Sequence, residues 1–265
     1  MNEITEITSA APVIEMINAT VASERESDAP QIENVNWQLA RGEYWVIGGW
    51  HGAGKTDFLS TAAGLQNPLT GSVRLYGQEV SGLKEQELVE ERKRIALVFE
   101  KGGRIFPHLT VKENVALPLR YHNNWTAEES EQAAGRILEW TGLTPLETSR
   151  PGNLNPSWKQ RIGLARSLAL EPEILLLDKP LLGLDLRHRR WWLDFLKQLS
   201  EKPPWNGKPV TLAVTADDLH PWIDQAQRFA VIKKNQFLLL GDSNELKTNH
   251  QTILGELMAD DFILG

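Results

Sequence analysis

The run Gly49-Trp50-His51-Gly52-Ala53-Gly54-Lys55-Thr56 constrains this chain more than any other stretch of its 265 residues. It fits the pattern G-x-x-x-x-G-K-[ST]. It also follows a short aromatic and β-branched run, EYWVIGG, and precedes a helix-like stretch over residues 55–63. Strand, glycine-rich turn and helix in that order aim backbone N–H groups and the positive end of a helix at one point, which makes a cradle for phosphate. There the Lys55 ammonium reaches the β- and γ-phosphates and the Thr56 hydroxyl is placed for Mg2+. The candidate phosphate-binding residues are therefore Gly49, Trp50, His51, Gly52, Ala53, Gly54, Lys55 and Thr56, together with Asp57 in the first helical turn. His51 is read as decorating the rim.

Such a loop needs an acid at the carboxyl end of a buried strand, able to orient the hydration shell of Mg2+. Ile174-Leu175-Leu176-Leu177-Asp178 supplies one. An Asp ending an apolar strand means little alone, but paired with the loop it makes Asp178 the metal-side acid.

Strand-like runs over residues 13–17, 35–39, 71–77, 94–99, 174–178, 209–215, 228–232 and 237–240 alternate with helical stretches. The polar segment 23–30 (SERESDAP) reads as a loop between the first two. Thr126 and Glu129 have capping-box spacing at the head of a helix over 126–140, and Ser243 with Glu245 opens a terminal one. Strands alternating with helices predict a mostly parallel sheet covered on both faces.

Composition narrows the function classes. A net charge of -7 argues against a nucleic-acid partner, which would call for a basic face. The absence of cysteine excludes disulfides and thiolate metal sites. No apolar run reaches 18 residues, and acidic residues stand near the N-terminus where a signal peptide would be basic. These features predict a cytoplasmic protein that does not itself enter a membrane. The ten scattered tryptophans are read mainly as packing residues.

The phosphate loop is followed by RIALVFEKGGRIFPHLTVKENVALPLR, then NLNPSWKQRIGLARSLALEPEILLLDKPLLGLD, then VTLAVTADD. In order and interval these resemble the ATP-binding-cassette (ABC) ATPase family over about residues 13–242. The glycine after the Glu100 strand and the phrase ENVALPLR, with a helical tail ending near Leu257, most resemble the phospholipid-trafficking subunits of Mla/Mce type. The resemblance implies an α/β P-loop NTPase with a mostly parallel central sheet, an antiparallel β lobe at the N-terminus and an inserted α-helical subdomain. It implies one ABC domain over 1–265: a RecA-like core with β lobe over 1–103 and 171–242, a helical signature subdomain over 104–170, and a C-terminal helical tail over 243–265.

The departures from the family pattern carry most information. Lys179 stands where the family has a glutamate that activates water, and an ammonium accepts no proton. Ala216 stands where a switch histidine would hold the γ-phosphate. Glu100 replaces the Q-loop glutamine; it is a candidate metal ligand beside Thr56 and Asp178, and a possible substitute base. The L-S-G-G-Q signature of the family aligns with Leu154-Asn155-Pro156-Ser157-Trp158, where Pro156 suits a helix start but has no N–H and both it and Trp158 add bulk in place of glycine and glutamine. No aromatic residue stands near residues 21–23 to stack on adenine, leaving Trp37, Trp45 or Trp50 as substitutes. Leu182-Gly183-Leu184-Asp185 matches the dimer-contacting D-loop.

The resemblance thus implies ATP and Mg2+ as ligands, with a membrane permease subunit and a second ABC subunit, identical or not, as partners. It implies a peripheral location on the inner face of the cell membrane, and a cargo of phospholipid or other lipid. The departures imply weak or absent hydrolysis. Two further readings compete: an active ATPase using unusual residues such as Glu100, Asp217 or Asp218, and a soluble ATP-sensing regulator.

Overall fold

The computed structural model describes residues 11–23, 29–203, 205, 207–249, 253 and 255. The centre of the loop expected over 23–30, and the tail end near Leu257, lie outside these residues. Two long strands, β1 (Pro12–Ala22) and β2 (Pro30–Ala40), pair antiparallel. Strand β4 (Thr70–Leu75) lines the other side of β1, and β5 (Gln78–Glu79) closes that edge. This is the expected antiparallel lobe.

The parallel part consists of β3 (Tyr44–Gly49), β6 (Ile95–Val98), β7 (Ile174–Leu177), β8 (Thr211–Ala216) and β9 (Arg228–Lys233). Strand β10 (Gln236–Gly241) returns antiparallel to β9 and touches β2 through Gln236 and Glu33, so one ten-stranded sheet runs β5-β4-β1-β2-β10-β9-β3-β8-β7-β6. Strands β3, β7 and β8 are buried along their whole length, as continuous apolar runs in a parallel sheet require.

Alternation along β3 separates two cores. Trp45 and Ile47 face one with Trp37, Phe58 and Leu176, whereas Tyr44 and Val46 face the other with Leu175, Leu177 and Trp192. Helix α1 (Lys55–Ala62) fills the first core, and α2 (Glu85–Lys93) lies on the chain between β5 and β6. Helices α3 (Val111–Asn123), α4 (Ala127–Trp140) and α5 (Pro156–Leu168) come between β6 and β7. Helix α6 (Leu186–Glu201), which sequence reading did not single out, buries Trp192, Phe195, Leu196 and Leu199 in the second core. Helix α7 (Ser243–Asn249) follows β10.

The helix heads follow local chemistry. Thr126 accepts from the Glu129 N–H at 3.2 Å while the Glu129 carboxylate accepts from the Thr126 N–H at 2.9 Å. Such a cap is worth about 1 kcal/mol. Thr110 and Glu113 form the same box on α3. The neighbouring Asn114, fully buried, donates to the carbonyls of Phe106 (3.0 Å) and Thr110 (2.9 Å) and accepts from the Phe106 N–H (2.9 Å). It pins the segment leading into α3.

Candidate nucleotide site

Strand β3 delivers residues 49–56 to the carboxyl edge of the sheet. Gly52 and Gly54 have φ of 79° and 90°, a left-handed backbone that glycine adopts without penalty. Gly54 is the N-cap of α1, and a Cβ there would lie 2.4 Å from Gln31 Cγ. A cleft of about 380 Å3 opens over the turn, lined by His51, Gly52, Gly54, Lys55, Thr56, Asp57, Glu100 and Lys179, with Ser23 and Gln31 at its β-lobe side. The backbone turn and the α1 N-terminus fit the phosphates of a nucleotide. His51 and Asp57 border the opening.

Lys55 is 4 % exposed, and its Nζ donates to the carbonyls of Gly49 (2.5 Å) and Trp50 (2.7 Å). The same nitrogen makes an ion pair with Asp217 Oδ1 at 2.7 Å. Burial pulls the Lys55 pKa below the ordinary lysine value, against the opposing pull of Asp217. Asp217, named from the sequence only as a stand-in base, is thus the tether of the phosphate-loop lysine.

Asp178 ends β7 as expected and is 3 % exposed. Its two oxygens accept from two hydroxyls, Thr56 Oγ1 at 2.7 Å and Thr215 Oγ1 at 2.8 Å. Thr215 also accepts from the Lys179 N–H at 3.1 Å, so it ties β8 to the end of β7. The threonine of Val214-Thr215-Ala216-Asp217 was the available sequence signal for this bridge. Gln31, whose Nε2 donates to the Gly52 carbonyl at 2.9 Å, had no signal at all.

Lys179 follows with φ 44°, a left-handed conformation uncommon for a side chain of this size. It is 9 % exposed, and its ammonium is ion-paired with Glu100. Burial works to lower the Lys179 pKa, but the hydrogen bond to Glu100 and the charge of Asp178 outweigh it and hold the group above the lysine norm. Glu100 sits in a 3-10 turn over Glu100–Gly102; its other oxygen lies 3.4 Å from the Lys101 ammonium. Burial would raise its pKa, yet the hydrogen bond and charge of Lys179 prevail and lower it. A carboxylate held by two ammoniums is a poor proton acceptor. This geometry disfavours Glu100 as a substitute base.

The same pair bears on Mg2+. The structure brings all three expected donors, Thr56, Glu100 and Asp178, together at the carboxyl edge of the sheet. There Thr56 is bonded to Asp178, and Glu100 is engaged by an ammonium that itself borders the cleft beside Thr56. A dication would meet a fixed cation, and this donor set does not fit it.

Ala216 lies buried at the end of β8, bordering a second cavity of about 280 Å3 shared with Lys179, Asp217 and Trp222, and brings no imidazole. Two of the tryptophans expected to substitute at adenine do not. Trp37 and Trp45 are core residues, 2 % and 8 % exposed, packed edge to face at 6.0 Å. Trp50 stands under the Lys233 ammonium at 5.5 Å and is not a lining residue of the cleft.

At the signature segment, Asn155 caps α5 by accepting from the Trp158 N–H at 3.1 Å, which spends on the helix itself a donor that an anion would want. The Trp158 ring folds back edge-on to His188 at 5.3 Å and lies under the Arg161 guanidinium at 4.7 Å. Burial, and then the charge of Arg187, pushes Arg161 down to about 10. Asp185 spends its carboxylate as the cap of α6, accepting from the His188 N–H at 2.9 Å.

The matching family model, that of the ABC transporters, covers residues 32–182. The methionine import ATP-binding protein of Haemophilus ducreyi is 32% identical over 225 residues, which is 85% of this chain and 63% of that one. This chain therefore spans less than two thirds of that relative's length. A probable sulfate/thiosulfate import ATP-binding protein of Chlorella vulgaris is 30% identical over 230 residues, 87% of this chain and 92% of that one. Among solved structures, the dimeric ATP-binding cassette MJ0796 bound to ADP and Pi superposes with a TM-score of 0.74 at 28% identity, covering 84% of this chain and 95% of that chain. The cbiO1 subunit of the cbiONQ complex from Clostridium perfringens shares the fold at a TM-score of 0.76 and 19% identity. With the phosphate loop, the buried strand acid and the sheet order in agreement, the chain belongs to the ABC transporter family and is one of its ATP-binding domains.

Proposed function

We propose that this chain is the ATP-binding subunit of an ABC transporter that binds nucleotide and hydrolyses it slowly or not at all. The observation that carries the reading is the Lys179 ammonium engaging Glu100 directly after Asp178, with Ala216 beside it. Neither the Lys179 ammonium nor the Ala216 methyl can take a proton from water, and loss of a general base costs about 10²- to 10⁴-fold in rate. The phosphate loop keeps the means to bind.

Its partners are a membrane permease subunit and a second ABC subunit, in keeping with the dimer of MJ0796 and the cbiONQ complex named for its relatives. Among the described residues no helix is long and apolar enough to cross a membrane, so attachment to the inner face of the membrane would come from the permease. The capped α5 head, with Pro156 and Trp158, favours a non-identical second subunit whose signature is intact.

Curated relatives are named for methionine, sulfate/thiosulfate and spermidine/putrescine import, so cargo does not follow from this domain. The lipid reading rests on the glycine after the Glu100 strand, on the helical tail and on ENVALPLR, and in the last of these Glu113 and Asn114 perform capping and loop pinning that any cargo would need. Purification with native partners identifies the permease and, with it, the cargo class.

The test of the central claim is a paired measurement of ATP binding and phosphate release, for the natural chain and Lys55→Ala. Saturable binding lost in the variant, with release far below an ordinary turnover of about 10 s⁻¹ in both, is the expected result. Release at that ordinary rate, abolished by Lys55→Ala, would establish the active-ATPase reading instead.

A further inference from the structure

Both ammoniums of the cleft are buried, and both are held by carboxylates that are not. The Lys55 side chain is 3 % exposed and its partner Asp217 35 %; the Lys179 side chain is 10 % exposed and its partner Glu100 25 %. The cations are fixed by their surroundings: Lys55 by two loop carbonyls, Lys179 by a buried stem leaving β7 and a backbone N–H bonded to Thr215. In each pair the carboxylate is the more exposed partner. Such pairs are exchangeable, because an incoming polyanion replaces Asp217 and Glu100 as the counter-charge and returns them to water.

We infer that the chain takes its nucleotide without a divalent cation, the Lys179 ammonium supplying the positive charge that a metal would bring. The inference rests on reading the cleft as a nucleotide site. An ammonium offers three donors and one full charge to phosphate oxygens, and needs no carboxylate ligands of its own. Lys55 and Lys179 border the same cleft as Thr56 and the α1 N-terminus, so one triphosphate group can meet both. The Thr56 hydroxyl stays on Asp178, and the charge of the site is complete once Glu100 and Asp217 have moved aside. A metal added to this arrangement would stand against Lys179 and gain little from a wall whose second carboxylate is already paired.

Calorimetric titration of the full chain with ATP, once in EDTA and once in excess Mg2+, tests this directly. The expected dissociation constants agree within about threefold, less than half the free energy of one tenfold step. Lys179→Met should weaken binding in EDTA by at least about tenfold, as loss of one charged contact to phosphate does, whereas Lys179→Arg should keep metal-independent binding. A natural chain whose affinity falls tenfold or more on chelation overturns the inference and leaves the ATP-binding reading intact. A chain that binds ATP in neither buffer overturns both. Circular dichroism of the variants separates lost folding from lost binding, and Lys179→Arg serves where Lys179→Met does not fold.

Discussion

The two walls of the cleft are built by different means. The wall over residues 49–56 is made of backbone: glycines at positive φ, the N-terminus of α1, and a lysine bent back onto the loop's own carbonyls. The facing wall is made of side chains at strand ends, Glu100 after β6 and Lys179 after β7, with Ala216 closing β8 on the adjoining cavity. Replacing side chains on the second wall leaves every strand in register, because β7 and β8 are held by buried Leu and Val and by Thr215. The sheet and its phosphate cradle thus do not depend on the side chains of the second wall, which can change while the strands stay in place. The ion pairs Lys55–Asp217 and Lys179–Glu100 then cross between the walls' cations and the solvent-side acids, each wall giving one cation.

The largest test of that contrast restores the side-chain wall. In a Glu100→Gln background, Lys179→Glu with Ala216→His, assayed at saturating ATP in excess Mg2+ with a partner cassette carrying an intact signature, should raise phosphate release by about 10²- to 10⁴-fold. No gain in release would show that the backbone wall, too, has lost its function. Next in size, Lys55→Ala removes the one buried cation of the backbone wall. Truncating such a charged partner costs at least about 2 kcal/mol, so ATP affinity by titration should fall about thirtyfold or more.

A smaller effect concerns the joint between the Glu100 turn and α5. A Cβ on Gly163 would lie 2.4 Å from the Gly102 carbonyl oxygen, and one on Gly102 2.6 Å from that of Lys159. Gly163→Ala should cost about 1–3 kcal/mol of stability, read as a lower thermal midpoint, with earlier proteolytic cutting near residues 100–104. Equal midpoints for variant and natural chain would mean that turn and helix are not rigidly packed.

The smallest effect is the pH dependence of the Lys179–Glu100 pair, about 1 kcal/mol at this partial exposure. The Glu100 pKa is lowered, so its contribution is present above the unfolded glutamate value and lost as pH falls through the folded one. The Lys179 pKa is raised, so its contribution is present below the unfolded lysine value and lost only as pH rises through the folded one. The stability difference between natural chain and Lys179→Met, from urea melts, should be flat between about pH 6 and pH 9 and shrink below about pH 4. A difference that grows on acidification would contradict the pairing.

How much of this was legible without coordinates differs by element. EYWVIGG before G-x-x-x-x-G-K-T, the apolar run ending in Asp178 and the capping pair Thr126 and Glu129 all express periods and spacings only a few residues long. Local backbone preference and burial on both faces suffice to decide them, and the parallel sheet with its antiparallel lobe follows from their order. Helix α6 escaped notice because its basic residues and adjacent Trp191 and Trp192 blur the apolar stripe that Trp192, Phe195, Leu196 and Leu199 complete only in the folded core.

Pairing across the fold was not legible. Asp217 meets Lys55 across 162 positions because β3 and β8 are neighbours in the sheet, and Lys179 meets Glu100 because β6 and β7 are. Likewise Trp37 and Trp45, open from sequence to an adenine role, face inward because β2 and β3 turn those positions to the first core. The sequence by itself determined which chemical groups stand at the strand ends and that a phosphate cradle lies among them. Only the tertiary structure decided their charge partners, because an ion pair depends on which strand ends the sheet order sets side by side.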